Sequence, residues 1–353
     1  MSSVPVPAVP GWRAKAALAG VVLLVGGVVA YRVWGTSFQW GLFLGTLYHL
    51  NWTWLFVSIL LTLLTYWARA LRWDVMLRPL GRTVPLEKLI SDTAIGFTAI
   101  VLLGRAGEAV RPYLISVSAG VSFSSQVAAW VLERIFDLLA VLLLFGFALA
   151  LIPVRGLSLG PALRWVLGVG GYLIAGIGVA CLLFLILFRN FSDVARNRIL
   201  SAVSFLPPNY YSRIEKMLAT FSQGMESTRD SRSLALLVAY SGVLWAMIVA
   251  SYFALFRSFP STAAFKITDV VVFLGFLAFG SLLQIPGIGG GIQVVSVLVL
   301  TEIYHLPIEA AAGVAVFIWF ITFVVIFPVG LLCAFHQGLN WSKIRHLPKD
   351  AAL

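Results

Sequence analysis

The chain contains 353 residues, of which 60% are hydrophobic and 11% are charged. A water-soluble domain with this balance could not cover its surface with polar groups, so the composition excludes an ordinary soluble protein and predicts a polytopic membrane protein. Basic loops beside anionic lipid explain the formal net charge of +11, and this charge does not require a nucleic-acid partner.

Six apolar runs reach the roughly 20 residues that a helix needs to cross the hydrocarbon core. They are residues 16–33, 51–70, 130–152, 165–188, 234–256 and 309–335. The first run follows Arg13 and Lys15 in the manner of a signal peptide. It is rather long for a signal peptide and no clear cleavage site follows it, so we expect it to be retained as the first transmembrane helix.

Basic residues mark the connections that should face the cytoplasm. They are concentrated in segments 69–88 and 189–232 and in the C-terminal tail, and positively charged loops favour the cytoplasmic side. Six spans with both termini in the cytoplasm satisfy these assignments, so we expect a multi-pass protein of the cytoplasmic, or inner, membrane. Within the cytoplasmic loop 189–232, an amphipathic helix at 207–225 is predicted to lie at the membrane interface.

Two further apolar segments are too short or too interrupted to be simple spans. Residues 89–104 would form a helix only about 24 Å long, and the stretch after them is rich in serine. A proline and four glycines interrupt 267–307, and its second arm would reach only about 21 Å. We predict two re-entrant helical hairpins, at about 89–125 from the cytoplasmic side and at about 267–307 from the opposite side.

Two hairpins that enter from opposite sides indicate an inverted repeat with a binding site at mid-depth. The alternative, in which both hairpins simply pack the helix bundle, stays open at this point. No polar connection is long enough to hold an independent core. The predicted fold is therefore an all-α polytopic membrane protein, with about six transmembrane helices and the two hairpins in a single integral-membrane domain over residues 1–353.

Six charged residues interrupt the apolar sequence, and intramembrane charges are functional candidates because each is costly to bury. In GRAGEAVR the charges lie three residues apart, so a helix would let the glutamate contact both arginines. In LERIFDLL the two acidic residues lie four positions apart and share a helix face. The six residues are Arg105, Glu108, Arg111, Glu133, Arg134 and Asp137.

Two interpretations of these six charges remain open. Three cations and three anions would form a formally neutral network, which favours a salt-bridge lattice that fastens the first hairpin to the third span. Alternatively, one arginine exchanges its carboxylate partner for a lipid phosphate, since guanidinium groups bind oxyanions bidentately. Gly104 and Gly107 would allow backbone amides to approach the same anion.

The glycine-rich sequence PGIGGGIQ lies at the predicted tip of the second hairpin. It lacks the lysine of a P-loop and follows no strand, so a nucleotide site is not expected. A hairpin tip that leads into a helix N-terminus would offer N–H groups and a positive dipole end to an anionic head group. The residues concerned are Gly287, Gly289, Gly290, Gly291 and Gln293.

Residue patterns for catalysis or metal binding are scarce in the sequence. The four histidines are scattered without a metal-ligand spacing, and no nucleophile elbow is present. We therefore expect no metal, no cofactor and no enzymatic activity. The glycine-rich stretch 166–180 fits close packing within the fold and equally fits association of two copies into a homo-oligomer.

Three motifs carry a resemblance to a known family: GRAGEAVRPYLIS, VAAWVLERIFDLLAVLLL and QIPGIGGGIQ, in this order. They resemble the flippase-like transmembrane family that is named for the membrane region of bacterial lysylphosphatidylglycerol synthase, the multiple peptide resistance factor. The resemblance covers most of the chain. It implies a lipid-handling protein similar to a domain thought to move a phospholipid between leaflets. In such a protein the six charged residues would form a polar cavity, and 286–291 the opposing hairpin.

Two departures from this family bear on the expected function. The sequence shows no aminoacyl-transferase domain, so synthesis of a lysyl-lipid is not expected. Gln293 stands where many relatives have a glutamate, which weakens the case for a cationic head group. The leading hypothesis is a lipid translocator for an anionic or phosphate-bearing head group. The alternatives are a membrane enzyme with Glu108 or Asp137 as general base, and a non-catalytic scaffold.

Overall fold

The computed structural model describes residues 38–151, 230–280 and 289–338, together with Gln284–Ile285 and scattered positions between 176 and 219. Three predictions fall wholly or in large part outside these residues: the spans 16–33 and 165–188 and the interfacial helix 207–225.

The described ranges 38–151, 230–280 and 289–338, with Gln284–Ile285, form ten α-helices and two very short strands. The helices are α1 Trp40–Tyr48, α2 Trp52–Leu77, α3 Leu86–Leu103, α4 Val110–Ala119, α5 Phe123–Leu151, α6 Ser231–Arg257, α7 Ile267–Gly280, α8 Gly291–Glu302, α9 Ile308–Trp319 and α10 Ile326–His336. The strands are β1 Gln284–Ile285 and β2 Gly289–Gly290. The predicted all-α class is confirmed, and the two strands are a local feature of one hairpin tip.

Four helical stretches are long and apolar enough to cross a membrane, judged by length and composition. They are Trp52–Leu80, Leu86–Ala119, Ser231–Arg257 and Ile308–His336. Three of them correspond to the predicted spans 51–70, 234–256 and 309–335, but the first continues to Leu80. Helix α5 occupies most of the predicted span 130–152. The polytopic membrane fold is therefore confirmed, whereas the stretch Leu86–Ala119 differs from a simple span.

The segment Leu86–Ala119 is folded back on itself, because α3 and α4 run antiparallel. Gly104 follows α3 with φ 62° and ψ −139°, a conformation that residues with a Cβ rarely adopt. A 3₁₀ turn at Gly104–Ala109 then reverses the chain. On the return, Ser118 Oγ donates a hydrogen bond to Asp92 at 2.7 Å. This first hairpin ends with α4, so the predicted limit at 125 lies within α5.

The second predicted hairpin consists of α7 and α8, which pack together and carry a β-ribbon at their tip. Strand β1 pairs antiparallel with β2, with Gln284 opposite Gly290 and Ile285 opposite Gly289. Gly290 has φ 69° and immediately precedes α8. Strand β1 lies against the 3₁₀ turn of the first hairpin. The tips of the two hairpins therefore meet.

A span, a hairpin and a further span occur twice in the described chain. The first repeat contains α2, the first hairpin and α5, and the second contains α6, the second hairpin and α9–α10. Helices α2 and α6 pack antiparallel, since Asn51 N donates to Ser258 O at 2.9 Å at one end and Arg72 Nη1 donates to Ser241 Oγ at 3.2 Å near the other.

The last span of each repeat packs against the first arm of the other repeat's hairpin. Helix α10 contacts α3 in this way, and α5 contacts α7. Together with the antiparallel α2 and α6, this exchange is the arrangement expected of two interlocked inverted repeats. Substrate sites in such folds lie at the interface between the repeats.

Candidate functional site

The last turns of α2 carry two arginines and a tryptophan on one helix face. Helix α2 begins after the N-cap Asn51 and continues for 26 residues. Arg69, Arg72 and Trp73 therefore lie on the helix with the i, i+3, i+4 spacing of one face. The prediction that 69–88 is a connection between spans is wrong for both arginines, because they lie within α2, where the side chain of Arg72 is 0% exposed and that of Arg69 is 15% exposed.

Two carboxylates on α5 compensate the charge of these arginines. Arg72 Nη2 lies 2.7 Å from Glu133 Oε1, and Arg72 Nη1 lies 2.7 Å from Asp137 Oδ1. Trp73 Nε1 donates a hydrogen bond to Glu133 Oε2 at 2.7 Å. Arg69 Nη1 is more distant, at 3.6 Å from Glu133 and 3.8 Å from Asp137. Because its partners surround it, Arg72 can be fully buried while α2 continues.

Two residues predicted from the sequence complete this group. Arg111 on α4 pairs with Glu133, and Arg134 Nη2 lies 3.2 Å from both Glu133 Oε1 and Asp137 Oδ2. We call the whole group the arginine cluster, and its members are Arg69, Arg72, Arg111, Arg134, Glu133 and Asp137. Four positive charges less two negative charges leave the arginine cluster with a net charge of +2.

The arginine cluster differs from the expected neutral network in two members. Arg105 is exposed on the 3₁₀ turn and lies outside the cluster. Glu108 is half-buried on the same turn and forms no ion pair with another residue in the described ranges. The physical reason is that Arg69 and Arg72, from a distant part of the chain, occupy the carboxylates of α5. The excess positive charge arises because two arginines, Arg69 and Arg72, are present where an arginine and a glutamate, Arg105 and Glu108, were expected.

A cavity of about 330 Å³ lies beside the arginine cluster, between the two repeats. Its charged lining residues are Arg69, Glu108, Arg111 and Arg134. Its hydroxyl-bearing lining residues are Thr62, Thr65, Tyr66, Ser251, Tyr252 and Thr322. Aromatic and aliphatic side chains, including Phe97, Trp130 and Ile292, complete the wall. The wall therefore combines charged and hydroxyl groups with apolar side chains, and convergent polar groups in a concave site are typical of a binding site.

Arg69 and Arg111 both approach the ring of Phe97 in the cavity wall. Their guanidinium carbons lie 4.9 Å and 5.2 Å from the ring centroid, within the range of cation–π interactions. Gly96 allows Arg111 on α4 to lie close to α3, because a Cβ at position 96 would collide with Arg111 Cβ and lie 3.0 Å from Arg111 Cα. In each arginine the buried Nη1 atom has no hydrogen-bond acceptor within the described residues. Each of these Nη1 atoms is therefore a buried donor without a hydrogen bond, although that of Arg69 lies near two carboxylates.

The second repeat contributes an uncharged wall to the cavity. Tyr252 OH and Thr322 Oγ1 lie 3.3 Å apart, and Thr322 belongs to the π-helical segment Phe320–Val324. Such π-helical segments occur frequently at functional sites. Ser251 Oγ lies 2.7 Å from Thr62 Oγ1 of α2. Hydroxyl groups thus join the two repeats at the cavity, whereas the charges come from the first repeat.

The glycine-rich tip of the second hairpin leads into the cavity wall through α8. Gly291 is buried at the first position of α8, and the next residue, Ile292, lines the cavity. Gln293 is half-buried on α8 and is not one of the lining residues. Gly289–Gly290 form β2, whereas Gly287 lies outside the described residues. Among the described residues of this tip and of α8, the structure brings Ile292 to the cavity wall.

The sequence analysis missed Arg69, Arg72, Trp73 and Phe97 as site residues. A signal was available in the sequence YWARALRW, because helical periodicity continues through it and places Arg69, Arg72 and Trp73 on one face. Ending the span at residue 70 and counting the basic connection from 69 assigned Arg69, Arg72 and Trp73 to a loop. Within the described ranges, no group of three or more His, Cys, Asp or Glu residues is arranged to hold a metal ion.

Comparison with known proteins identifies the family. The sequence profile of the lysylphosphatidylglycerol synthase TM region matches residues 17–330. Because this match covers most of the chain, the chain belongs to that family, and it is a multi-pass membrane protein. Comparison with curated proteins and with solved structures gave no match.

Proposed function

We propose that this member of the lysylphosphatidylglycerol synthase transmembrane family is a lipid transporter, which moves a phospholipid or a lipid-linked head group between leaflets. The observation that supports the proposal is the net charge of +2 in the arginine cluster beside a cavity between inverted repeats. Transporters built from inverted repeats bind their substrates at such an interface, near the middle of the bilayer.

A phosphate group matches the donors in the cavity wall. Arg69 and Arg111 each carry a buried Nη1 atom without an acceptor in the described part of the chain. These Nη1 atoms are themselves buried, but both arginines line the cavity, and the oxygens of one phosphate could accept hydrogen bonds from the remaining N–H groups of the two guanidiniums. Guanidinium groups suit this role because their planar fork matches phosphate geometry. The proposed partners are therefore membrane lipids with an anionic or phosphate-bearing head group.

The size of the cavity fits a head group. Its volume of about 330 Å³ lies near the lower limit of ligand pockets, which is about 300 Å³. The acyl chains would remain in the bilayer, beside helices that expose large apolar side chains. Leu143 on α5 is 72% exposed, and Leu298 on α8 is 54% exposed. Such surfaces are suited to contact with lipid chains.

We further propose that the protein lies in the cytoplasmic membrane with both termini inside, on the basis of its basic loops. We favour transport over catalysis because arginines already hold the two carboxylates of α5. Glu133 and Asp137 each lie 2.7 Å from Arg72, so neither is free to approach a substrate proton, and Glu108 remains as the candidate base of the enzyme alternative. A general base needs access to the proton that it abstracts.

Leaflet exchange in reconstituted vesicles tests the proposal. The full chain is reconstituted with trace fluorescent lipids of anionic, zwitterionic and polyprenyl type, and dithionite quenches the label in the outer leaflet. We expect exchange above that of protein-free vesicles. We expect the rate to fall by about tenfold or more in Arg69→Gln and Arg111→Gln, since each removes a charge-assisted hydrogen bond. Arg257→Gln is the matched control, because Arg257 is exposed at the end of α6.

Two outcomes would overturn the proposed transport. Exchange no faster than in protein-free vesicles for all three lipid types would exclude translocation of these lipids. Chromatography of the lipids after incubation tests the enzyme alternative in the same samples. A new lipid product that disappears in the Glu108→Gln variant would favour catalysis by Glu108 over transport.

A further inference from the structure

The charges around the cavity do not cancel when Glu108, the one carboxylate among the described wall residues, is counted together with the arginine cluster. The arginine cluster has a net charge of +2, and Glu108 in the cavity wall adds a third carboxylate to the site. Four positive charges less three negative charges leave +1. A buried site with uncompensated charge favours ligands that neutralise it.

The three carboxylates of the site differ in their surroundings. Glu133 is fully buried and accepts a hydrogen bond from Trp73 Nε1 at 2.7 Å. Asp137 accepts a hydrogen bond from Arg72 Nη1 at 2.7 Å. Glu108 is half-buried on the 3₁₀ turn and forms no ion pair with another described residue. Glu108 is therefore the carboxylate whose charge faces a bound head group.

We infer that the cavity selects lipids whose head group carries a single net negative charge, namely a phosphodiester without an ammonium group. This inference rests on the proposed function and adds the charge class of the cargo. One phosphodiester anion would accept hydrogen bonds from Arg69 and Arg111 beside Phe97. Its charge would also cancel the +1 that remains in the site.

The same arrangement disfavours a head group that contains ammonium groups. A lysyl-ester head group would bring two ammonium groups with its phosphate, so its binding would make the site more positive than the empty site. Phe97 offers little compensation, because Arg69 and Arg111 already approach its ring. Like charges repel strongly at short range where water is excluded. Glu108 is the only carboxylate among the described wall residues, and it could compensate one of the two ammonium groups.

Binding in detergent tests the charge class without requiring transport. The full chain is titrated with dihexanoyl phosphatidylglycerol, phosphatidylethanolamine, lysylphosphatidylglycerol and phosphatidic acid. Tryptophan fluorescence is the readout, because Trp130 lines the cavity. On the unaltered chain we expect phosphatidylglycerol to bind about tenfold or more tightly than either ammonium-bearing lipid, a difference that titration resolves.

Substitution of Glu108 tests whether charge sets this ranking. Glu108→Gln raises the net charge of the site from +1 to +2, so we expect dianionic phosphatidic acid to gain about tenfold in affinity relative to phosphatidylglycerol. Glu302→Gln is the matched control, because Glu302 is exposed at the end of α8. It should leave the ranking unchanged. Size-exclusion chromatography verifies that each variant folds.

The ranking on the unaltered chain decides the inference even if a variant fails to fold. Equal affinity for phosphatidylglycerol and lysylphosphatidylglycerol, or tighter binding of the latter, would overturn the charge class. If vesicles still exchanged lipid in that case, the proposed translocation would stand. Conversely, selective binding of phosphatidylglycerol without exchange of any lipid would support the charge class and overturn translocation.

Discussion

Neutralising Glu133 tests the energetics of the arginine cluster most directly. Glu133 is fully buried and contacts four guanidinium groups: Arg72 at 2.7 Å, Arg134 at 3.2 Å, Arg69 at 3.6 Å and Arg111. Glu133→Gln keeps the size of the side chain but leaves four arginines facing one carboxylate, so the net charge of the cluster rises from +2 to +3. Removing one partner of a buried ion pair costs about 3–5 kcal/mol. Because four arginines share Glu133, we expect the free energy of unfolding to fall by an amount near the upper limit, about 5 kcal/mol.

Equilibrium unfolding in mixed micelles measures this loss. Asp74→Asn is the matched control, because Asp74 pairs with Arg78 at 2.7 Å near the end of α2, where the side chains are 27% and 51% exposed. Such a pair contributes about 0–1 kcal/mol. Adding Arg134→Gln to Glu133→Gln should restore part of the stability, since it removes one uncompensated charge. A loss for Glu133→Gln no larger than that for Asp74→Asn would refute the reasoning.

Two other substitutions test the local structure. Gly96→Ala should destabilise the protein by about 1–3 kcal/mol, because the added Cβ would collide with Arg111. Gly242→Ala should instead stabilise the protein by up to about 1 kcal/mol, because no atom lies within 4 Å of the added Cβ. Thermal unfolding compares the two variants. Asp230→Ala should speed hydrogen exchange of the Ser233 amide, which donates to Asp230. Hydrogen bonds from Ser233 and Arg232 lower the pKa of Asp230. The difference in exchange rate between the variant and the unaltered chain should therefore be full above the ordinary aspartate pKa, and it should vanish as the pH falls through the lowered pKa of Asp230. Unchanged exchange at neutral pH would contradict the role of Asp230 as the N-cap of α6.

The sequence could predict the architecture because helix length and helix breakers are local properties. The run 89–104 is shorter than a membrane span, and 286–291 contains four glycines and a proline. Burial cost also predicted that charged residues within apolar sequence would find partners. Arg111 and Arg134 do pair with the carboxylates of α5.

Pairings between distant parts of the chain could not be predicted in this way. The positive-inside rule counts basic residues by their position relative to the spans. It cannot distinguish a loop arginine from one at the end of a helix whose counter-charge lies far along the chain. Arg72 and Asp137 are 65 positions apart. Local spacing grouped Arg105 and Glu108 with the carboxylates of α5, where the arginines of α2 are found instead.

The charged residues of the site belong to one repeat, whereas hydroxyl groups make most of the polar contacts between α2 and α6. All members of the arginine cluster belong to the first repeat, on α2, α4 and α5. Where α2 meets α6, hydroxyl groups dominate the polar contacts: Ser251 Oγ lies 3.2 Å from Ser58 Oγ and 2.7 Å from Thr62 Oγ1. Such a hydrogen bond contributes about 0.5–1.5 kcal/mol, whereas breaking a buried ion pair costs about 3–5 kcal/mol. Movement between the repeats would therefore disturb the weaker contacts first, and a head group held by the arginine cluster could stay bound while access to the cavity changes.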